Sequence, residues 1–453
     1  MTSVSTDVKP VDLDDSISPR AVPLRVVRLR SIHEVDEALW DSVNAGQDLF
    51  HTHRFIRSIE DARVENSRFW YLLFYQRDEL IGTAALSAFV VSLDLFVAGI
   101  LQKLAGSSRR FFPGFLKIKV LFCGLPISIG KHCLAISDFS RSGEIFDLLV
   151  QEMLEIGRAE NIRFMCVKEF LEGEMPMVER LAEYRFFRAW SIPYVSMKIR
   201  WPDFQSYLAA MRHSYRRQIL HGLKKLGQAE PLIYRLRIAD CGLWNDQSLN
   251  SHSYESRDTL EFFPLTRIQT DATAGVNSEK PMLILASPKL CTPKQFYDLY
   301  LEVMSRAKTK LERLNEAFFE NFYKNLGNDF ELLAMMQGRE ILNVAFLTVQ
   351  GKTMTFLLTG INYSKRDEHD TYCNLLYGII VRAMQRGCER LDLGQTSYWL
   401  KQRLGGECIP QFFYLRAKSK SIHFFLKTLR PMIFPEIKTP NPRVFRETSA
   451  DES

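Results

Sequence analysis

The 453-residue sequence lacks the cysteine patterns of metal-binding and disulfide-rich proteins. Its eight cysteines stand singly, without a C-x-x-C pair and without the paired spacing of a zinc ribbon. We interpret them as reduced thiols, which predicts a cytoplasmic protein. His51 and His53 lie close together in FHTHRF, but no third ligand is near them in the sequence. No metal site is predicted.

Charge of one sign and long hydrophobic runs are also scarce. The 59 Lys and Arg residues exceed the 53 Asp and Glu residues by only six, and no basic tail is present. This excess favours anionic ligands without requiring nucleic acid.

The start of the chain lacks the charged and apolar regions of a signal peptide, which predicts that the protein is not exported. In the apolar stretch 82–106, Asp94 would cost about 3 kcal/mol at a bilayer centre, so we predict a strand and an amphipathic helix there.

A repeated order of elements is the most informative feature of the organisation. Hairpin strands, a helix, a strand, a short helix and a final strand occur once in each half of the chain. The chain is also too long for one ordinary core. We therefore predict an α/β protein with two tandem domains, each a mixed, mostly antiparallel sheet flanked by helices.

The predicted domains follow from this repeat. Residues 1–21 and 436–453 are predicted to be disordered tails, residues 22–199 the N-terminal domain, and residues 200–435 the C-terminal domain. A helix over 201–227 links the halves. The segment 238–292 has weak periodicity, and we interpret it as an inserted lid, with a disordered linker as the alternative.

Several strings in the second half carry a resemblance to a known family. A motif of the form D-x-G-x-(S/T)…K-x-x-(F/L)-G is matched by RLDLGQTSYWLKQRLGG, with Asp392, Gly394, Thr396 and Lys401 at its defining positions. Two further strings fit the same proteins: HSYRRQI, with Ser214, Arg217 and Ile219, and CGLPISIG over 123–130. The sequence resembles the GNAT acyltransferase superfamily, in the tandem-domain branch that includes BioF2-like acetyltransferase domains and Fem-like peptidyltransferases.

The sequence departs from the superfamily at the loop that usually binds coenzyme A. The expected (Q/R)-x-x-G-x-(G/A) pattern is replaced by INYSKRDEHDTYCN over 361–374, which has no glycine. The resemblance implies acyl-CoA as the donor in ordinary members and aminoacyl-tRNA in Fem-like relatives. Both donors stay open at this point.

The resemblance also implies where the donor binds. Two parallel strands, TFLLTGIN and RLDLG, would diverge and offer backbone N–H groups to an oxyanion. The helix beginning near Thr371 would direct its N-terminal amides at the phosphates of the donor. The candidate cofactor-binding residues are Gly360, Asn362, Lys365, Arg366, Thr371 and Tyr372. For Lys365 and Arg366 the alternative is a solvated loop.

Three residues are predicted to carry catalysis: Asp392, Tyr398 as a general acid, and Lys401 as an anion clamp. Tyr398 and Lys401 are three residues apart on a short helix, so they share a face. The alternative is that Lys401 and Arg403 are surface charges and that one of them pairs with Asp392. The candidate substrate-binding residues are Arg216, Arg217, Gln395, Thr396 and Arg403. Arg216 and Arg217 have a solvated helix face as their alternative.

These observations predict an N-acyltransferase that moves an acyl group from acyl-CoA, or a related activated donor, to a small-molecule or peptide-like amine by direct attack. The alternatives are an aminoacyl-tRNA-dependent ligase acting on a cell-envelope precursor and a non-catalytic binding protein. Nucleic acid is a partner only if aminoacyl-tRNA is the donor. Apolar segments with cations at 111–119 and 421–434 allow peripheral membrane contact, with ordinary core packing as the alternative. The oligomeric state stays open.

Overall fold

The computed structural model describes residues 23–44, 49–92, 117–174, 178–225, 237–238, 282–286, 288–307 and 312–446. The predicted tail 1–21, the predicted helix after residue 92 and most of the segment 238–292 lie outside these ranges. None of the helices in the described ranges has the length and hydropathy that a bilayer crossing requires.

Within the described ranges, sixteen strands form two sheets. In chain order the strands are β1 (Leu24–Leu29), β2 (Arg68–Gln76), β3 (Glu79–Ser92), β4 (Lys117–Cys123), β5 (Leu134–Ile136), β6 (Phe164–Phe170), β7 (Phe187–Trp190), β8 (Tyr194–Lys198), β9 (Arg237–Ile238), β10 (Met282–Ala286), β11 (Phe330–Gln337), β12 (Glu340–Gln350), β13 (Thr353–Ile361), β14 (Arg390–Gln395), β15 (Glu407–Ile409) and β16 (Phe412–Ala417). The first sheet has the order β1-β2-β3-β4-β6-β16-β7, with β5 beside β3, and the second has the order β15-β8-β14-β13-β12-β11-β10-β9.

The helices of the described ranges flank these sheets. They are α1 (Glu37–Ser42), α2 (His53–Asp61), α3 (Ser142–Ala159), α4 (Phe204–Ala210), α5 (His213–Lys224), α6 (Pro293–Arg306), α7 (Glu316–Leu326), α8 (Thr371–Gln385), α9 (Tyr398–Arg403), α10 (Lys420–Thr428) and α11 (Arg430–Ile433). The predicted long helix over 201–227 is wrong. Met211 leaves the helical conformation and forms a bridge with Phe445, which separates α4 from α5.

Each sheet contains one parallel pair joined by a crossover helix. In the first sheet α3 connects β4 to β6, and in the second α8 connects β13 to β14. The other neighbours are antiparallel, except β9 beside β10. In the second sheet, tight turns at Gly338 and Gly351, both at positive φ, join β11, β12 and β13 into a meander. The duplicated, mostly antiparallel α/β architecture predicted from the repeat is therefore confirmed.

The two halves exchange one strand each, which the sequence did not indicate. Strand β8 belongs to the first half of the chain but pairs with β14 in the second sheet. Strand β16 belongs to the second half but pairs with β6 and β7 in the first sheet. The predicted ranges 22–199 and 200–435 therefore do not coincide with the two sheets.

Aromatic packing joins the two halves. Phe55 on α2 meets Phe322 on α7 edge-to-face, with ring centroids 5.5 Å apart, and residues of both halves share one continuous core. This core holds the sheets in one relative position. A cleft between them can therefore be shaped by residues from both halves.

Two predicted irregular segments contain ordered structure. Strand β10 lies inside the predicted insertion 238–292, yet it pairs with β11 and buries Leu283. The predicted disordered tail from residue 436 is wrong up to residue 446, because Val444 is buried and Phe445 packs on Trp201 and Tyr207. Residues 447–453 lie outside the described ranges.

Candidate active site

The parallel strands β13 and β14 diverge after a short paired region. They pair only from Thr353 opposite Arg390 to Thr355 opposite Asp392. Leu393 is then bulged, because Asp392 faces Ser196 on β8 while Gly394 faces Val195. Gly394 has φ +71°, and a side chain there would lie 3.3 Å from the Phe356 carbonyl oxygen. The expected opening between these strands is therefore present.

Strand β13 also has a bulge beside the opening. Its partner β12 pairs Phe346 with Leu358 and Leu347 with Phe356, so Leu357 has no opposite residue. The bulge turns backbone groups of residues 356–358 out of the regular ladder at the point where β14 has moved away. Backbone N–H groups so placed can stabilise a developing oxyanion.

A cavity of about 170 Å³ occupies the opening and extends to the other half of the chain. One side is formed by Thr355–Thr359 of β13 and by residues 392–396 at the end of β14. The opposite side is formed by Ser128–Lys131, by α6 and by Glu312. The cavity is thus a cleft between the two sheets.

Lys401 on α9 is the buried cation of this cavity. Its side chain is only 2% exposed, and Nζ donates to the backbone oxygens of Gln395 at 2.9 Å and Gly394 at 3.5 Å. Burial lowers the pKa of Lys401 to about 7. The alternative that Lys401 is a surface charge is wrong. A lysine with this pKa can exchange a proton near neutral pH.

Asp392 lines the cavity but is engaged with neighbours on its own sheet. One carboxylate oxygen accepts from the Ser196 hydroxyl at 2.7 Å and from Arg390 Nε at 3.1 Å. Arg390 also donates to the Tyr194 hydroxyl at 2.7 Å. The ion-pair partner of Asp392 is therefore Arg390, neither Lys401 nor Arg403. Asp392 holds the end of β14 in place.

Gln395 connects β14 to the first half. Its side-chain nitrogen donates to the Ile192 carbonyl and to Gln411 Oε1, both at 3.1 Å. The Ser128 Oγ atom lies 2.8 Å from Gln395 Oε1 and also within hydrogen-bond distance of Glu169 Oε1, and its single proton can be donated to one of the two at a time. Glu169 is 3% exposed and has φ +69°, a conformation that is uncommon for residues other than glycine. The hydrogen bonds among Gln395, Ser128 and Glu169 position Ser128 at the wall of the cavity.

Glu312 places a carboxyl group on the side of the cavity that faces the strands. Burial raises the pKa of Glu312 to about 7, while a hydrogen bond from the Ser128 backbone N–H and the charge of Lys168 oppose that rise. The Ser128 nitrogen is 3.4 Å from Glu312 Oε2. A carboxyl group with this pKa can accept a proton near neutral pH.

Two further predicted residues lie at the cavity and one does not. Thr396 and Tyr372 both line it. Thr396 has φ +63°, which is strained for a β-branched residue, as is typical of functional turns. Tyr398 is absent from the lining, and burial raises its pKa to about 12. It packs with the core of the second sheet instead, so the geometry does not bring it to Lys401 as a general acid.

The side chains of the predicted phosphate-binding loop are paired with other side chains and backbone groups of the protein. Lys365 pairs with Glu368 at 3.2 Å, and Arg366 pairs with Asp367 at 3.3 Å. The Asn362 side chain accepts from the Ser364 backbone N–H and donates to Glu340. None of these three residues lines the cavity.

Gly360 and Thr371 are packed inside the protein, away from the cavity. A side chain at Gly360 would lie 2.6 Å from Leu299 Cβ, so this glycine permits the close approach of α6 to β13. Thr371 is fully buried at the start of α8, and its hydroxyl has no hydrogen-bond partner among the described residues. Neither residue lines the cavity.

The three predicted substrate-binding arginines lie away from the cavity. Arg403 donates to Gln218 at 2.9 Å and stacks over Tyr215, which joins α9 to α5. Arg217 is exposed and Arg216 is half-buried on α5. None of them lines the cavity.

Sequence reasoning missed the residues that the first half contributes. Ser128 belongs to CGLPISIG, a string already associated with the family, and the duplication places it after the strand that corresponds to β13. That signal was available. No pattern in the sequence around Glu312 indicated that it belongs to the site. Among the described residues, no group of three or more His, Cys, Asp or Glu side chains is arranged to hold a metal ion.

Sequence comparisons agree with the location of this site. Residues 292–402 match the family described as an acetyltransferase (GNAT) domain, a range that contains β11 to β14 and Lys401. The chain is 21% identical over 395 residues to the Mycobacterium tuberculosis protein named 8-amino-7-oxononanoate synthase 2, in two strains. That match covers 85% of this chain and 44% of the relative, so the chain spans less than half the length of the curated relatives it matches.

Comparisons of structure identify the architecture. FemX superimposes with a TM-score of 0.50 and 10% identity over 88% of this chain and 100% of FemX. A tandem GNAT protein from the clavulanic acid biosynthesis pathway superimposes with a TM-score of 0.44 and 9% identity over 87% of this chain and 99% of that chain. Residues 292–402 therefore match a GNAT acetyltransferase domain, and the likeness to FemX shows that the chain shares its fold.

Proposed function

We propose that the protein transfers an acyl group from an activated donor to an amine by direct attack, without a covalent enzyme intermediate. The observation that carries this proposal is the opening between β13 and β14, which leads into a cavity walled by Lys401 and Glu312. If the protein were a binding module with a degenerate site, side chains would be expected to fill the opening.

In the proposed reaction the amine nitrogen attacks the carbonyl carbon of a thioester or ester. A carbon–nitrogen bond forms, and the carbonyl oxygen becomes an oxyanion near the bulge at Leu357. Collapse of this intermediate breaks the bond to the leaving sulfur or oxygen. The amine loses one proton, and the leaving group gains one.

Glu312 and Lys401 have the properties needed for these two proton transfers. Glu312 accepts the proton of the amine, because its raised pKa gives it basicity near neutral pH. The protonated Lys401 donates to the leaving group, because its lowered pKa makes the ammonium a stronger acid than that of an ordinary lysine. Asp392 and Gln395 position the end of β14.

Acyl-CoA is the proposed donor. Its thioester would enter the opening beside Thr396 and Tyr372, two polar residues that line the cavity. Since the loop 361–370 pairs its cations internally, we assign donor affinity to the strands and the cavity rather than to that loop. The acceptor is a small-molecule or peptide-like amine, and we place the reaction in the cytoplasm.

The test is the thermal stabilisation of the protein by acyl-CoA thioesters. The wild type should be stabilised by at least one thioester, and Lys401→Ala should lose that response. Lys352→Ala, which removes an exposed lysine paired with Glu389, serves as the matched control and should keep the response. The absence of any response in the wild type, or an identical response in Lys401→Ala, would contradict an acyl-CoA site at Lys401.

Aminoacyl-tRNA is the second candidate donor. The observation that favours it is the loop 361–370, which has no glycine cradle and in which Lys365 and Arg366 are paired with acidic neighbours. An aminoacyl ester presents the same carbonyl group to the opening, while its phosphates would lie outside it. Retention of the protein on tRNA that falls steeply with salt would favour this donor, and salt-insensitive or absent retention would exclude it.

A further inference from the structure

The last helices expose an unusual number of large apolar side chains. Five of the ten exposed large hydrophobic residues in the described part of the chain are Ile422, Phe424, Phe425, Met432 and Ile437, which we call the C-terminal apolar surface. Phe424 is 71% exposed and Phe425 is 57% exposed. The other five are scattered through the fold. Clustered exposed apolar residues of this kind mark interaction sites.

The packing of α10 and α11 does not require these side chains. The inner side of the helices is formed by His423, Leu426 and Phe434, which pack on β7 and β16, with His423 against Phe187 and Phe434 against Phe413. The outer residues therefore add apolar area beyond what the core uses. A helix with apolar residues on both its inner and outer sides indicates a partner for the outer side.

The charge around this surface is strongly positive. Residues 418–438 contain the cations Lys418, Lys420, Lys427, Arg430 and Lys438, all exposed, against the single acid Glu436, which gives a net charge of five minus one, or +4. The partner of the apolar surface should therefore be anionic as well as apolar.

Three arginines beside α10 extend the positive charge. Burial lowers the pKa of Arg416, and the charges of Arg185 and Arg158 lower it further. Burial is the largest cause that lowers the pKa of His423 on α10, and the charges of Arg185, Lys427 and Arg416 lower it further. The Arg416 Nη1 atom is buried and has no hydrogen-bond partner among the described residues. A half-buried guanidinium next to two others favours an anion such as a phosphate group.

We propose that the C-terminal apolar surface docks the protein onto an anionic phospholipid bilayer. Phe424 and Phe425 insert at the headgroup–acyl boundary, the lysines lie at the headgroup level, and a lipid phosphate binds at Arg416. The cations attract the anionic leaflet while the apolar side chains enter it, so the two contributions act together. The proposal does not depend on the acyl-transfer reaction.

The positive charge also decides between a membrane and a second copy of the chain. A symmetric dimer through this surface would place two +4 segments against each other and bury their cations without counter-charges. A bilayer supplies both the apolar phase and the negative charge.

The test is sedimentation of the full chain with lipid vesicles. The protein should bind vesicles of phosphatidylcholine mixed with phosphatidylglycerol, should not bind vesicles of phosphatidylcholine alone, and should be released by salt. The double variant Phe424→Ser/Phe425→Ser and the double variant Lys427→Glu/Arg430→Glu should each weaken binding at least about tenfold.

Phe139→Ser is the matched control, because Phe139 is 66% exposed far from this segment in the chain, and binding should be unchanged. Since all the substituted residues are exposed, unchanged far-ultraviolet circular dichroism is expected for each variant. Equal binding to both vesicle types, no binding to either, or no effect of the two double variants would overturn the proposal. A concentration-dependent dimer that Phe424→Ser/Phe425→Ser dissociates would assign the surface to a second copy instead.

Discussion

The two sheets share a topology but differ where their parallel strands part. In the first sheet β4 and β6 pair from Val120 opposite Phe164 to Cys123 opposite Val167. The side chain of Lys168 then lies across Gly124, where a Cβ atom would be 2.6 Å from Lys168 Cε, and its Nζ donates to the Ile127 carbonyl oxygen at 2.8 Å. In the second sheet the corresponding region is an open cavity.

The difference indicates that the two halves contribute different parts of the site. A lysine of the first sheet covers the end of its own strand, and the loop that follows β4 becomes a wall of the other site through Ser128–Lys131. The second sheet keeps its opening and receives its lysine, Lys401, from the helix after β14. In the proposed reaction the second half would hold the donor, while the first half contributes Ser128–Lys131 to the wall of the cleft.

Replacement of Lys401 and of Lys168 should show the largest difference between the two halves in the rate of acyl transfer. We expect Lys401→Met to lower the rate of acyl transfer by about 10²- to 10⁴-fold, because it removes the proton donor of the leaving group. Lys168→Met in the first sheet should change the rate by less than about tenfold, because that side chain is not part of the cavity lining. Thiol release from an acyl thioester in the presence of an amine measures both. Equal losses would mean that the first sheet is equally involved in the chemistry.

Glu312→Gln should come next in the size of its effect. We expect a loss of about 10²-fold at pH 7 and a change in the pH profile. In the wild type the rate should rise as Glu312 loses its proton near pH 7 and fall as Lys401 loses its proton near the same pH. In Glu312→Gln the rise should disappear and the fall should remain. A rising limb that persists in this variant would assign the base to another group.

Gly394→Ala should disturb the opening more than a matched glycine elsewhere in the sheet. Gly394 and Gly351 both have positive φ, so alanine at either is strained by about 1 kcal/mol. Only at Gly394 would the new methyl group also approach a backbone oxygen, at 3.3 Å, whereas nothing lies within 4 Å at Gly351. We expect urea denaturation to show a larger loss for Gly394→Ala, together with weaker donor binding. The reverse order would contradict the close approach of Gly394 to the Phe356 carbonyl oxygen.

A further expected effect is on the pH dependence of stability. The pKa of Lys401 is about 7 when folded against an ordinary 10.5, so between these values the unfolded chain binds more protons. The free energy of unfolding of the wild type should therefore rise with pH relative to that of Lys401→Met, by at most about 1.4 kcal/mol per pH unit. Urea denaturation of both proteins from pH 7 to pH 10 tests this, and parallel curves would show that Lys401 titrates normally.

Much of the fold could be predicted from the sequence because it is encoded locally. The meander of β11, β12 and β13 and helix α8 follow from periodicity and turn glycines. The opening at Gly394 was implied by the family resemblance that the motif around Asp392 carries. The exchange of β8 and β16 could not be predicted in this way. Strand pairing between distant parts of the chain leaves no mark on the local pattern of either strand.

The site was predicted in part for the same reason. Lys401, Asp392, Gln395 and Thr396 lie in the motif and line the cavity, and Tyr372, at the start of α8, lines it too. A spacing of three predicts a shared face for Tyr398 and Lys401, but helix α9 has only six residues, and Tyr398 packs against the core of the second sheet while Lys401 lines the cavity. Glu312 reaches the cavity through tertiary packing, which brings it to Ser128 and to strands that are distant from it in the sequence. No local feature of the sequence reports that packing.

The most direct test of the central claim is hydrogen exchange of the backbone with and without donor. The claim is that the opening between β13 and β14 admits the activated acyl group. We predict that either an acyl-CoA or an aminoacylated RNA minihelix slows exchange in residues 353–361 and 390–397, with no change in residues 117–123 and 164–170. Protection confined to the first sheet, or no protection by either donor, would contradict the claim.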